Sequence, residues 1–397
     1  MKRTSYTEFS GKVNFVSGLN SLDTCAADLL RAGCKNIFLV CDKNISKNGL
    51  TDLVVRAVEA EGTINIARIY RNVDTSSSVA SAQEAYELFR AGGCDSVMAV
   101  GGGSVIDVAK ALVLMIRCQS RDLMALRTYN TAVATHRIPF IVVPTTIGSG
   151  TEVTRFATVF AEGQQSRIVF VSDFVCPDLC VLDARMVATL TPRQVMLGAV
   201  EILCNAAEAY LSLQSSVISE RFARQAVMQL RTAIQGFMQD NADAHARLRM
   251  MRATVLAGVA YSNALVGLTH ATASAICARY PDIEYAAVLG VLLPHCLIVN
   301  KDVCADKYSR MFVTLANEQY YLEVPADKRA DAFVEYLFVL LRRYHEKFAF
   351  PLSLRELGVR EEDLPQIAAA TVRGTEVLTN PKRVSEKEVL DMLQRSL

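Results

Sequence analysis

The chain has 397 residues, more than twice the usual size of one domain, so two domains are expected. It is 51% hydrophobic and 21% charged, a balance that excludes a disordered or fibrous protein. Its 42 Lys and Arg against 41 Asp and Glu leave a net charge of +1, so no field draws in nucleic acid or an anionic membrane, and a small-molecule ligand is expected.

Eleven cysteines without a C-x-x-C pair are too sparse for a disulfide framework and predict a reduced, cytoplasmic chain. The opening MKRTSYTEFSGKVNF lacks the apolar core of a secretory signal, and none is expected. The early apolar run Val13-Asn14-Phe15-Val16 reads as an edge strand. Short runs rich in Val, Ile and Phe follow at 36–41, 64–70, 96–100 and 139–143, separated by helix-length stretches. This βαβ rhythm predicts a parallel sheet whose central strands are buried on both faces, with ligands beyond the strands' carboxyl ends.

After the run 96–100 comes Gly101-Gly102-Gly103-Ser104-Val105-Ile106-Asp107-Val108-Ala109-Lys110. Three glycines let backbone approach a phosphate, and a helix opening at Ser104 aims N–H groups and its positive dipole end at an anion. The alternative is a tight turn with no ligand. After the run 139–143 comes Pro144-Thr145-Thr146-Ile147-Gly148-Ser149-Gly150-Thr151-Glu152-Val153-Thr154, whose glycines and hydroxyls suit a nucleotide-contacting loop or an ordinary polar one.

From Thr191 the strand signals stop. Thr191-Pro192 starts a helix, Ile218, Phe222, Ala226, Leu230, Ile234 and Phe237 mark one helical stripe, and Ser385-x-x-Glu388 is a capping box. The expected division is an α/β dinucleotide-binding domain over residues 1–185 and an all-helical metal and substrate domain over 186–397. The stretch 285–299, broken by Pro294 and His295, is too short to span a bilayer.

In order along nearly the whole chain, Cys41-Asp42-Lys43-Asn44, GGGSVIDVAK, PTTIGSGTEVT, Asn205-Ala206-Ala207-Glu208-Ala209-Tyr210, Leu256-Ala257-Gly258, Leu292-Leu293-Pro294-His295 and Asn380-Pro381 resemble the iron-containing (group III) alcohol dehydrogenase family, relatives of glycerol dehydrogenase and dehydroquinate synthase. The resemblance implies hydride transfer between NAD and a small alcohol or its aldehyde or ketone at a divalent metal, in a cleft between the two domains. It places Asp42 at the adenosine ribose, where a carboxylate accepts from two hydroxyls and repels a 2′-phosphate, favouring NAD over NADP. It assigns the diphosphate to Gly101, Gly102, Gly103 and Ser104, with Asp107 in the same motif, and the adenine and nicotinamide side to Thr145, Thr146, Ser149 and Thr154. A homodimer or larger homo-oligomer paired through N-terminal edge strands is also implied.

The family's metal site reads Asp-x-x-x-His on one helix, then a His, then a second His fourteen positions on. Here Glu201 stands at the Asp position and Asn205 at the first His, four residues apart and so on one helical face. His270 matches the next position, Glu284 lies fourteen beyond it, and Ser274 replaces a further histidine near the substrate. Glu201, His270 and Glu284 are therefore the expected catalytic and metal-binding residues, for Fe or Zn, with Asn205 at most a poor oxygen ligand. The competing reading makes His270 a core histidine and the glutamates solvated or paired. Without a metal, a protonated carboxyl among Glu201 and Glu284 is the expected proton donor. His136, His245 and His345 carry no role, and His295 packs in a helix.

Two other functions stand beside the dehydrogenase. The lost histidines suit a catalytically degenerate family member kept as a nucleotide-binding or assembly subunit. Glu201 suits a lyase or cyclase of the dehydroquinate-synthase type, although the sequence around His270 offers no basic pocket for a phosphorylated acid.

Overall fold

The computed structural model describes residues 8–74, 77–128, 136–161, 167–239 and 243–397. They form two compact units: Gly11–Leu190 with Gln239–Gly258, and Met1–Ser10 with Thr191–Met238 and Val259–Leu397.

The first unit is built on a six-stranded, fully parallel sheet. In chain order its strands are β1 (Asn14–Gly18), β2 (Asn36–Val40), β3 (Asn65–Tyr70), β4 (Ser96–Gly101), β5 (Phe140–Pro144) and β8 (Leu179–Asp183), and in space they run β1-β8-β5-β4-β2-β3. Between β5 and β8 the chain makes an antiparallel hairpin of β6 (Phe156–Phe160) and β7 (Arg167–Val171), which the sequence reading did not anticipate. The inner strands β4, β5 and β8 are buried along their whole length; β4 and β5 fall on the continuous apolar runs expected from the sequence, while β8 was not among those runs.

Alternate residues serve opposite faces of this sheet. Phe38, Val40, Val97, Ala99, Phe140 and Val142 pack on one side with helices α4 (Val79–Ala91) and α5 (Gly103–Arg117). Ile37, Leu39, Met98, Val100, Ile141 and Val143 pack on the other with α1 (Ala26–Ala32) and α3 (Leu50–Glu59), while α2 (Lys43–Lys47) follows β2 directly. As expected, the early apolar run forms an edge strand, β1, with Phe15 half exposed. The order reverses around β2, which lies between β3 and β4, so the loops after β2 and β4 leave neighbouring strands. This is where a parallel sheet opens a crevice for a ligand.

The second unit is helical. Its helix α6 (Pro192–Leu211) starts on a complete Thr191/Gln194 capping box with proline in the first turn. Then come α7 (Val217–Gln239), α8 (Ala244–Ala264, whose first part belongs to the first unit), α9 (Leu268–Arg279), α10 (Tyr285–Leu315), α11 (Glu318–Glu323), α12 (Arg329–Phe348), α13 (Leu364–Arg373) and α14 (Glu386–Ser396), the last on the Ser385/Glu388 capping box. On α7 the buried face is Ala223, Ala226, Val227, Leu230, Ala233 and Phe237, while Ile218, placed on the apolar stripe by sequence, is 45% exposed. The segment 285–299 is half of a 31-residue helix, α10, which by length and composition could cross a membrane. Two thirds of its apolar window is buried within the protein, against α6, α9 and α12, so it is the core helix of this unit. All eleven cysteines are free.

Candidate active site

In the first unit the two glycine-bearing loops lie side by side. β4 and β5 pair up to Gly101 and Pro144, and the Thr145 amide donates to the Gly101 carbonyl at 3.0 Å. A Cβ on Gly101 would stand 2.5 Å from Val105, and one on Gly102 would stand 2.9 Å from the Thr146 methyl, so the turn accepts no side chain at either position. α5 opens at Gly103, one residue earlier than expected, with Gly102 as its N-cap and no capping side chain. An uncapped helix start at the end of a parallel strand is a seat for a phosphate. Beside it, the Thr145 hydroxyl is buried without a hydrogen-bond partner, the condition of a group that a ligand completes.

Lys110, fully buried about two turns into α5, holds the second loop from below. Its ammonium donates to the Thr151 hydroxyl (3.0 Å), the Thr154 carbonyl and hydroxyl (both 2.9 Å) and the Phe156 carbonyl (2.7 Å). Burial lowers its pKa to about 8, against the opposing pull of Asp107. Asp107 accepts from the Thr151 hydroxyl at 2.9 Å, and Thr154 is wholly buried. Both residues, expected at the cofactor, thus have work inside the loop, whereas Thr146, Ser149 and Ser104 remain partly exposed. Gly150 adopts a left-handed conformation (φ +68°) and packs on Gly258, where a Cβ would meet the Gly150 carbonyl at 2.5 Å. That contact gives the Leu256-Ala257-Gly258 motif its physical reason.

Asp42 caps α2: its Oδ1 accepts from the amides of Asn44 (2.7 Å) and Ile45 (2.9 Å). Both bonds use one oxygen, and the carboxylate stands at the end of β2, next to β4.

The second unit treats its expected ligands differently. His270 lies in the first turn of α9 and is buried with Glu208 and Asn205 of α6. Its Nδ1 meets Glu208 Oε2 at 2.6 Å and its Nε2 meets the Asn205 side-chain oxygen at 2.8 Å. Glu208 also accepts from the amides of Gly267 (2.8 Å) and Thr269 (2.6 Å), capping α9 from a neighbouring helix. Burial opposes its charge, but these bonds, the His270 one foremost, hold its carboxyl below the ordinary value. With the Nδ1 proton given to Glu208, Nε2 faces the Asn205 amide. In the neutral ring the amide donates to its lone pair, and in the cation the amide oxygen accepts a second proton. Both arrangements occupy the nitrogen a metal would use.

Glu284 does not join this group. It is the N-cap residue of α10, and its carboxylate, half exposed, pairs with Arg193. Glu201 is partly buried and already partnered. Among the described residues no three His, Cys, Asp or Glu stand together as a metal site. The expected set of Glu201, His270 and Glu284, with Asn205, therefore does not fit a divalent ion: its imidazole is taken on both nitrogens, one carboxylate is held at the surface, and the amide is a weak donor. The same Arg193 pair removes the idea that Glu284 shares a dry site with Glu201 and is kept protonated by repulsion.

The residue that does approach His270 is Tyr285, one position beyond the count of fourteen. Its ring centroid lies 6.2 Å from the imidazole, and burial pushes its phenol pKa up from the ordinary value. The signal available in the sequence was helical phase: Tyr285 shares a face with the fully buried Val288, Leu289 and Leu292, while Glu284 precedes the first turn.

Models of known families place this arrangement. The model for iron-containing alcohol dehydrogenases matches residues 13–184, and that for the C-terminal region of the Fe-containing alcohol dehydrogenase family matches residues 195–397. The chain belongs to the iron-containing alcohol dehydrogenase family of oxidoreductases. Long-chain-alcohol dehydrogenase 1 of Geobacillus thermodenitrificans is 28% identical over 364 residues, 91% of this chain and 89% of that protein. The NAD-dependent methanol dehydrogenase of Bacillus methanolicus is 22% identical over 384 residues, 96% and 97% of the two. A solved 1,3-propanediol oxidoreductase shares the fold at a TM-score of 0.90 with 23% identity, covering 99% of this chain and 100% of that one.

Proposed function

We propose that the protein interconverts a small alcohol and its aldehyde or ketone, using a nicotinamide dinucleotide and preferring NAD to NADP. The observation that carries this reading is the Gly101–Gly103 turn: a side-chain-free, uncapped helix start packed against Thr146, with the unsatisfied Thr145 hydroxyl beside it. Asp42 supports NAD, because its capping bonds use one carboxylate oxygen, which leaves the other to accept from a ribose and a charge that repels a 2′-phosphate. The methanol dehydrogenase relative is named for NAD dependence. The free cysteines and near-zero net charge fit a reducing cytoplasm and a small ligand rather than nucleic acid or a membrane. The edge strand β1, with Phe15 half exposed, supports a homodimer or larger homo-oligomer, and a monomer in light scattering at micromolar concentration would refute that part.

Titration with NADH and NADPH, followed by nicotinamide fluorescence, tests the cofactor. Tighter binding of NADH is expected, Asp42→Gly should narrow the difference, and binding of neither nucleotide refutes the proposal. The occupied His270 nitrogens favour one other reading, a degenerate member that binds nucleotide without turnover. Aldehyde-dependent NADH oxidation across a panel of aldehydes rejects it.

A further inference from the structure

The Leu292-Leu293-Pro294-His295 motif belongs neither to the glycine loops nor to the cluster at His270, and its last two residues line a cavity within the helical unit. The cavity measures about 290 Å³. Val291 and Pro294 line it from α10, Phe338 and Leu341 from α12, and Leu352 from the chain just after α12. An apolar cavity of about 150 Å³ already takes benzene, so this one has room for a ring with a short chain. Its two polar members are His295 and Arg342.

The His295 ring meets Phe338 edge to face, with centroids 5.2 Å apart. Its Nδ1 is buried without a hydrogen-bond partner, while the residue as a whole is partly exposed, so the accessible edge of the ring is the one that carries Nε2. Burial, and after it the positive field of Arg395 on α14, lower the His295 pKa to about 4, and the ring is neutral near pH 7. A neutral imidazole has one N–H. On Nδ1 it would be a buried donor without an acceptor, whereas on Nε2 it is open to water or a ligand. Arg342 is exposed and has no ion-pair partner among the described residues. The carboxylate that touches this lining, Glu356, accepts from the Leu352 amide at 3.0 Å and lies 4.0 Å from His345. Apolar walls, one N–H donor and an unmatched positive charge therefore meet in one place.

We propose that this cavity is a binding site for a small monocarboxylate with an apolar body. The hydrocarbon part lies among Val291, Pro294, Phe338 and Leu341, and the carboxylate accepts from His295 Nε2–H and from the Arg342 guanidinium. A sugar or a phosphate ester does not suit it, because walls without donors would strip water from the ligand's many polar groups and replace none of it. An uncharged ligand of the same shape leaves Arg342 unmatched. The site lies wholly in the helical unit and stands independently of the oxidoreductase reading.

The test is a ligand-detected NMR titration of the whole protein with phenylpropionate and with phenylpropionamide, its uncharged counterpart. The acid is expected to bind with a Kd on the order of 0.1–1 mM, the range for a ligand of this size with one charged anchor. The amide should bind about ten-fold more weakly, since it cannot form charge-assisted bonds. Arg342→Gln changes an exposed residue and should weaken the acid about ten-fold at an unchanged melting temperature. His295→Phe, which keeps a ring and removes the N–H, should weaken it in the same direction. Leu352→Trp, which fills the cavity from a partly exposed position, should abolish binding. No binding of phenylpropionate at millimolar concentration, equal affinity for acid and amide, or wild-type affinity in a well-folded Arg342→Gln or Leu352→Trp overturns the proposal. Acid that still binds to Leu352→Trp and is displaced by NADH would place it at the nucleotide loops instead, with the oxidoreductase reading untouched.

Discussion

The two units keep their family features in opposite ways. In the first, the recognisable residues are mostly glycines and threonines whose job is done by backbone: Gly101 and Gly102 leave room, Gly150 turns left-handed, and Gly258 lets that turn approach. In the second, the recognisable site is a set of side chains, and it has been rewritten into a self-satisfied cluster of His270, Glu208 and Asn205. A backbone-built site is bound to the fold, since each glycine is also a packing requirement. A side-chain site can be exchanged one residue at a time while the helices stay where they are, provided each buried polar group finds a new partner.

The comparison is broken most severely by attacking what lies beneath the first site. Lys110→Met keeps the length of the side chain but leaves four carbonyl or hydroxyl acceptors of Thr151, Thr154 and Phe156 without their donor. A loss of about 3–5 kcal/mol in denaturant unfolding is expected, with NADH binding weakened because the second loop is released. Glu208→Gln tests the rewritten site. The amide can accept only through one oxygen, so its NH2 must face either the N–H of Thr269, now on Oε1, or that of Gly267, now on Oε2. About 2–4 kcal/mol should be lost in the same measurement, since bonds to a charged acceptor are the stronger kind. NADH affinity should stay unchanged, because Glu208 belongs to the other unit. If nucleotide binding failed in Glu208→Gln while the fold persisted, the division of labour between the units would be wrong.

The same contrast governs how much was legible in the sequence. The strands β2 to β5 announce themselves by their apolar runs, unbroken where both faces are buried, and the glycine turn because few other features place three glycines after such a run, whereas the inner strand β8 was not read from the sequence. Gly258 was recognisable only as part of a motif, since its partner Gly150 is remote in sequence. The hairpin β6–β7 escaped because its strands are not buried on both faces, β6 alternating buried and partly exposed residues, and because Phe156–Phe160 follows directly on the polar loop. In the second unit the helices and both capping boxes were legible, but the site was not. Counting fourteen residues from His270 reaches Glu284, and one further residue on a helix is a rotation of about 100°. That single step separates a carboxylate paired with Arg193 from a phenol beside His270. A count along the chain fixes a position in a motif only if the intervening loop keeps its length.

The buried charges of the first unit give the comparison a pH signature. Burial raises the pKa of Glu152 to about 7 from its ordinary 4.5, Lys110 opposing. Between these values the folded protein holds a proton that the unfolded chain has released, so this group's contribution to stability falls as pH rises from about 4.5 to 7 and is level above that. Glu152→Gln mimics the protonated form. The variant should match the wild type near pH 4.5 and exceed it by up to about 3 kcal/mol at pH 7.5, read as a difference between two unfolding series. Burial of His295 acts with the opposite sign, its pKa lowered to about 4, so stability from that group rises with pH from about 4 to 6.5. It is common to both series and cancels in the difference. Curves that stay parallel across this range would show that Glu152 is solvated.

The smallest expected effect is the sharpest test of where the second site lies. Glu284 and Arg193 form an ion pair whose side chains are 51% and 48% exposed. Such pairs contribute about 1 kcal/mol or less, because water and salt already screen the charges and two long side chains must be held in one geometry. A carboxylate at the N-terminus of α10 adds a further few tenths through the helix dipole. Glu284→Gln should therefore cost less than about 1 kcal/mol, and most of that should vanish in 1 M salt. Its rate of aldehyde-dependent NADH oxidation should stay that of the wild type. A well-folded Glu284→Gln that has lost turnover would mean that the carboxylate leaves Arg193 when substrate is bound and turns toward His270, and the count along the sequence would then have identified the working residue after all.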